Sequence, residues 1–144
     1  MTNMNKYVEE ATLFFKEVAL ELGNPNDINA AGRVTAAVLH TLRERLTVEE
    51  SMHLISNLPM ILKGIYVDGW KITKQAYHAD TLGEFLNEVR EHSRVDPGRD
   101  FGGDDTARER VQAVTRVLRR YVDEGEIRHI KQQLPEGVAV LFDE

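Results

Sequence analysis

Val38-Leu-His-Thr-Leu-Arg-Glu-Arg-Leu46, followed directly by Thr47-Val-Glu-Glu50, decides the fold. Val38, Leu42 and Leu46 stand four residues apart and line one face of a helix with 3.6 residues per turn. Ala31 and Val34 or Thr35 extend that stripe backwards, and Asn26 or Asp27 offers a capping side chain at its start. Thr47 then opens a second helix as a capping box. Its hydroxyl serves the Glu50 amide, and Glu50 is expected to reach back to the Thr47 amide.

The pattern returns 76 residues later. Ala31 meets Ala107, Ala37 meets Ala113, Val38 meets Val114, and Leu42-Arg43 meets Leu118-Arg119. Glu50 meets Glu126, His53 meets His129, and Leu58-Pro59 meets Leu134-Pro135, while Tyr66 is matched in kind by Phe142. Upstream the offset is 71: Phe14 meets Phe85, and Glu17-Val18 meets Glu88-Val89. The five extra residues fall in the Gly- and Asp-rich stretch 95–105, read as a loop, which is where a duplication tolerates a change of length.

Further helices are predicted over 3–22, stopped by Gly23-Asn24-Pro25, and over 59–66, with Pro59 in the first turn. Thr81-Leu-Gly-Glu84 is another capping box, and helices follow over 106–122, 124–133 and 135–142. Strand alternation is nearly absent. The expected fold is all-α: two diverged tandem repeats of about four helices each, packed as a pseudo-symmetric pair. The first repeat covers residues 1–66, a connector 67–80 and the second repeat 81–144. A single copy is small for independent stability, so the copies are expected to share a core or pack tightly.

Composition narrows the function classes. Apolar residues make up 42% and charged residues 29% of 144, which suits a globular protein. There is no cysteine, which excludes disulfides and thiolate metal sites. A net charge of −6 disfavours nucleic-acid binding. No apolar run is long enough to span a bilayer, and no signal peptide is recognised at residues 1–6, so a cytoplasmic setting is expected.

Leu58-Pro-Met-Ile-Leu-Lys-Gly-Ile-Tyr-Val-Asp-Gly-Trp70, preceded by the Val38–Leu46 segment, resembles the bacterial and archaeal family called domain of unknown function 2267. Glu84-Phe-Leu-Asn-Glu-Val89, Gly125-Glu126 and Leu134-Pro135 carry the resemblance along the rest of the chain. The resemblance implies an all-α tandem fold. It brings no activity and no catalytic residue with it.

Three groups of residues are site candidates. Glu-x-x-His occurs twice, as Glu50/His53 and Glu126/His129, and di-metal helical bundles use two such pairs plus a Glu from each of two other helices. Glu17 and Glu88 are matched and stand available for that role. Both Glu-x-x-His acids also sit where capping acids are expected, so no cofactor is predicted. Tyr66, Asp68 and the sole tryptophan, Trp70, lie where the first copy ends and suit either the junction between copies or a partner. Arg116, Arg119 and Arg120 share one helix face, read as a solvated face paired with Glu109, Asp123 and Glu124 or as a contact for an acidic partner. His40, His78 and His92 show no partner spacing and read as surface residues. Ser51, Ser56 and Ser93 lack a base nearby in sequence. The expectation is a non-catalytic cytoplasmic interaction or accessory protein that binds a protein partner or itself. The alternative is a small-molecule- or metal-binding enzyme with its site between the repeats.

Overall fold

Local sequence signals set the helix starts in the computed structural model, which describes residues 3–72 and 81–143. Helix α1 spans Met4–Glu21, α2 Ile28–Arg43, α3 Val48–Ser56 and α4 Met60–Val67. In the second half, α5 spans Leu82–His92, α6 Pro97–Phe101, α7 Asp104–Tyr121, α8 Glu124–Gln133 and α9 Glu136–Ala139, with a closing 3-10 turn over Val140–Phe142. Every described element is helical. Asn3, Asp27, Thr47, Thr81, Asp96 and Asp123 each cap a helix by accepting from the amide three residues on. Each such cap contributes about 1 kcal/mol. Gly23 ends α1 with φ +79°, a left-handed conformation that a Cβ resists.

Two expectations change in detail. The stretch 95–105 is not all loop, because Asp96 caps and Pro97 starts the short helix α6. One turn is too short to show periodicity, yet it buries Phe101 and Asp100. Pro59 lies one residue earlier than expected, at the cap of α4. Residues 73–80 of the expected connector lie outside the described residues.

Helix α2 is central and touches α1, α4, α5, α6 and α7. Helix α1 reaches across to α7, α5 lies on α2, and α3 meets α8. Buried apolar side chains from both halves form one continuous core that includes Phe14, Val38, Leu42, Phe85, Val114 and Leu118. Several contacts recur at the sequence offsets. Arg43 Nη1 donates to the Tyr66 carbonyl at 2.7 Å, and Arg119 Nη1 to the Phe142 carbonyl at 2.8 Å. Phe14 lies 5.0 Å from the Tyr121 ring, and Phe85 lies 5.5 Å below the Arg45 guanidinium. No described helix is long and apolar enough to cross a membrane.

Candidate functional site

Two places gather polar side chains that the fold does not fully use. The first is the seam between α3 and α8. Thr47 Oγ1 accepts from the Glu50 amide at 3.1 Å, and Asp123 Oδ1 from the Glu126 amide at 2.9 Å, so both acids stand at the third helical position. The expected return bond from Glu50 to the Thr47 amide is not made. Gln133, at the end of α8, takes that amide instead, through Oε1 at 2.9 Å. Glu50 is thereby released from capping while remaining only 5% exposed. Its Oε1 receives a long 3.4 Å contact from Gln133 Nε2, and its Oε2 has no hydrogen-bond partner. Glu126 Oε1 is likewise buried without one.

His53 completes this group. Its Nδ1 lies 3.9 Å from Glu126 Oε2, and one ligand atom each from Glu50, His53 and Glu126 fall within 4.8 Å of one another. His129 is exposed and stands outside the cluster, so of the four residues that the repeat offers as a candidate set, three come together. Glu17 and Glu88 do not join it. Glu17 accepts from Tyr121 OH at 2.6 Å and pairs with Arg120, and Glu88 pairs with the buried Arg45. The bundle-type di-metal arrangement is therefore not assembled.

The second place is the cleft bounded by α2, the end of α4 and the end of α5. Tyr66 is fully buried, with its hydroxyl 2.7 Å from Ser51 Oγ, and burial pushes its phenol pKa upward. It is a core residue and presents no side chain to a partner, which corrects its place among the contact residues. Its carbonyl and that of Asp68 both accept from Arg43 Nη1, each at 2.7 Å. Gly69, at φ +68°, turns the chain so that Trp70 sits edge-on to Tyr66 at 5.7 Å. His40 Nε2 lies 2.7 Å from the Ile65 carbonyl, and His92 Nε2 lies 2.8 Å from Glu44 Oε1. The two imidazoles are 6.2 Å apart. Burial, with Arg43 and His92 nearby, holds His40 below its usual pKa although the Ile65 bond opposes this. Burial would raise the Glu44 pKa, but its bond to His92 and the charges of His92, Arg45 and Arg43 prevail and lower it.

This cleft consists of two adjoining hollows of about 330 and 290 Å³ that share His40, Gly69, His92 and Arg94. Asp68 edges one hollow, and Arg43, Glu44, Trp70 and Lys71 edge the other. Sequence spacing did not find the two histidines, because they lie on α2 and α5, and only the packing of those helices joins them. His78 lies outside the described residues.

The basic group on α7 is occupied internally. Arg120 pairs with Glu17 at 3.1 Å and Glu21 at 2.8 Å, and Arg116 lies 3.7 Å from Glu21. Arg119 holds the Phe142 carbonyl and lies 3.2 Å from Glu124. Of the three acids expected to pair with this face, Glu124 pairs with Arg119, while Glu17 and Glu21 of α1 pair with Arg120 and Glu21 with Arg116. The three arginines thus tie α7 to α1 and to the last turn of the chain while their side chains stay 30–45% exposed.

Structure and cluster together define an all-α helical protein with a charged cleft and a half-satisfied carboxylate seam. The chain belongs to the family described as uncharacterized conserved protein (DUF2267), whose model matches residues 12–141. No curated protein matches the sequence.

Proposed function

We propose that this chain is a non-catalytic cytoplasmic accessory protein that holds an acidic segment of a protein partner in the α2–α4–α5 cleft. The charge of that cleft carries the reading. In a chain of net charge −6, it gathers Arg43, Arg94 and Lys71 against Glu44 and Asp68. Arg94 and Lys71 are exposed and form no ion pair among the described residues. Glu44 is already engaged by His92 and Arg45. A carboxylate-bearing segment supplies the charge these cations lack, and Trp70 and the exposed Val95 offer apolar contact beside them.

The non-catalytic part is supported by two of the three serines considered, Ser51 and Ser56. Ser51 Oγ is buried against Tyr66 OH, whose raised pKa makes that phenol a poor base at neutral pH. Ser56 Oγ donates to the His53 carbonyl within its own helix. Neither meets an imidazole as a nucleophile meets its base.

Trp70 is the only tryptophan and serves as a built-in reporter. Titration with a glutamate-rich peptide at low salt is expected to change its fluorescence to saturation. Arg94→Glu and added salt should each weaken the binding about tenfold or more. A flat titration, or equal response to a lysine-rich peptide, would sink this reading.

A further inference from the structure

We infer that the α3–α8 seam is a binding site for one divalent transition-metal cation of the zinc and manganese type, held by Glu50, His53 and Glu126. The inference uses no residue of the cleft and goes beyond the accessory role.

The seam contains an electrostatic debt. Two carboxylates of the same sign meet in a shielded position, and each has one buried oxygen without a hydrogen-bond partner. Buried polar atoms are nearly always satisfied, and an unpaired buried carboxylate oxygen is costly. Glu50 is 5% exposed, so water does not readily compensate it. Among the described residues, no arginine or lysine reaches these oxygens: Glu126 has His53 Nδ1 at 3.9 Å, and Glu50 has the neutral Gln133 amide. Elsewhere the same protein does neutralise its buried acids, as Arg33 does for Asp100 with two bonds at 2.9 and 3.0 Å. A bound cation resolves the contrast.

The donor set fits the chemistry. Two carboxylates and one imidazole are nitrogen and oxygen ligands of the kind that zinc and manganese accept, with a fourth position left for water. Atoms bound about 2.1 Å from one ion stand at most about 4.2 Å apart. The three ligand atoms already lie within 4.8 Å of one another, and His53, whose side chain is 53% exposed, has room to adjust. Gln133 contributes from outside the ligand set. By taking the Thr47 amide it frees Glu50 from capping, and its own amide steers Glu50 Oε1. The ion would join α3 of the first half to α8 of the second, stapling two helices that lie far apart in sequence.

The test uses the full chain stripped of metal with a chelator, then titrated with Zn²⁺ alone and with Mn²⁺ alone in a calorimeter. The expected result is one ion per chain for at least one of the two. Glu50→Gln, Glu126→Gln and His53→Ala should each weaken uptake tenfold or more, with His129→Ala unchanged. The bound ion should also raise the thermal midpoint of the wild-type chain and leave that of Glu50→Gln where it was. His53 is exposed, so His53→Ala keeps the test valid should either buried variant fold poorly. No saturable uptake of either ion would overturn the site. So would uptake that His129→Ala weakens as much as His53→Ala does, since that marks surface histidines as the binders.

Discussion

Two seams cross between the halves at matched positions, and they satisfy the same carboxylate by different chemistry. Where α1 meets α7, Phe14 lies against Tyr121, and the Tyr121 hydroxyl donates to Glu17 at 2.6 Å. Where α5 meets α2, Phe85 lies under Arg45, and Arg45 pairs with Glu88. Phe14 corresponds to Phe85, Glu17 to Glu88, and Tyr121 to Arg45. A neutral phenol can lose its acceptor at modest cost. A guanidinium only 2% exposed loses more, because the Thr41 carbonyl and the longer 3.7 Å pair with Glu44 are then what compensates its buried charge. Burial already lowers the Arg45 pKa despite the nearby charges of Glu44 and Glu84. The α5–α2 seam is therefore the more brittle of the two.

The largest expected effect follows from that contrast. Glu88→Ala leaves the buried Arg45 only its longer pair with the partly exposed Glu44 and should destabilise the chain by about 3 kcal/mol in urea unfolding. Glu17→Ala, which removes the Tyr121 bond but leaves Arg120 its second partner Glu21, should cost about 2 kcal/mol. Equal losses would break the comparison. The double variant Arg45→Met/Glu88→Leu removes both charges together and should recover much of the loss, since replacing a buried pair is often near neutral.

Tyr121→Phe comes next. It removes one hydrogen bond to a charged acceptor while keeping the ring contact with Phe14, so about 1.5 kcal/mol is expected. A loss near zero would mean that the ring contact and the arginine pairs carry the α1–α7 seam without this bond.

The helices were legible from sequence because their signals are local. Asp27, Thr47 and Thr81 announce starts within four residues, and the stripe through Val38 and Leu42 names the buried face directly. Helix α6 was hidden because a single turn shows no period. The candidate sites were legible only in part. Glu50, His53 and Glu126 share a legible spacing, but capping accounts for both acids in sequence, and only Gln133, 86 residues from Thr47, releases Glu50 from that role. The pairing of His40 with His92 and of Arg120 with Glu17 depends on helix packing and leaves no trace in local spacing.

Gln133 and its counterpart Asn57 sharpen the comparison further. Gln133 reaches across the seam to the Thr47 amide, whereas Asn57 Nδ2 donates to the His53 carbonyl within its own helix end. Gln133→Ala should cost about 1 kcal/mol, with Asn57→Ala smaller, and the difference is readable in thermal midpoints. Gln133→Ala also lets Glu50 swing back to the freed Thr47 amide, so it should weaken cation uptake without removing a ligand.

The smallest effect is a pH dependence confined to one half. The Ile65 carbonyl is met by the His40 imidazole, and the corresponding Leu141 carbonyl by the Thr115 hydroxyl at 2.6 Å. A carbonyl can only accept, so neutral His40 carries its proton on Nε2. Folding lowers the His40 pKa below its ordinary 6.5, so the folded state binds this proton less readily than the unfolded state. The contribution is present above pH 6.5 and is lost as pH falls from there through the depressed folded value. Glu44, also lowered, loses its contribution only below its ordinary 4.5 and does not interfere above pH 5. Urea midpoints of the wild-type chain should therefore fall between pH 7.5 and 5.5. In His40→Gln, which keeps an amide donor without a titrating group, that fall should be reduced. Thr115→Val should lower stability by a similar amount at both pH values, because a hydroxyl does not titrate in this range. If His40→Gln follows the wild-type slope, the acid sensitivity lies elsewhere and the two carbonyl supports differ only in shape.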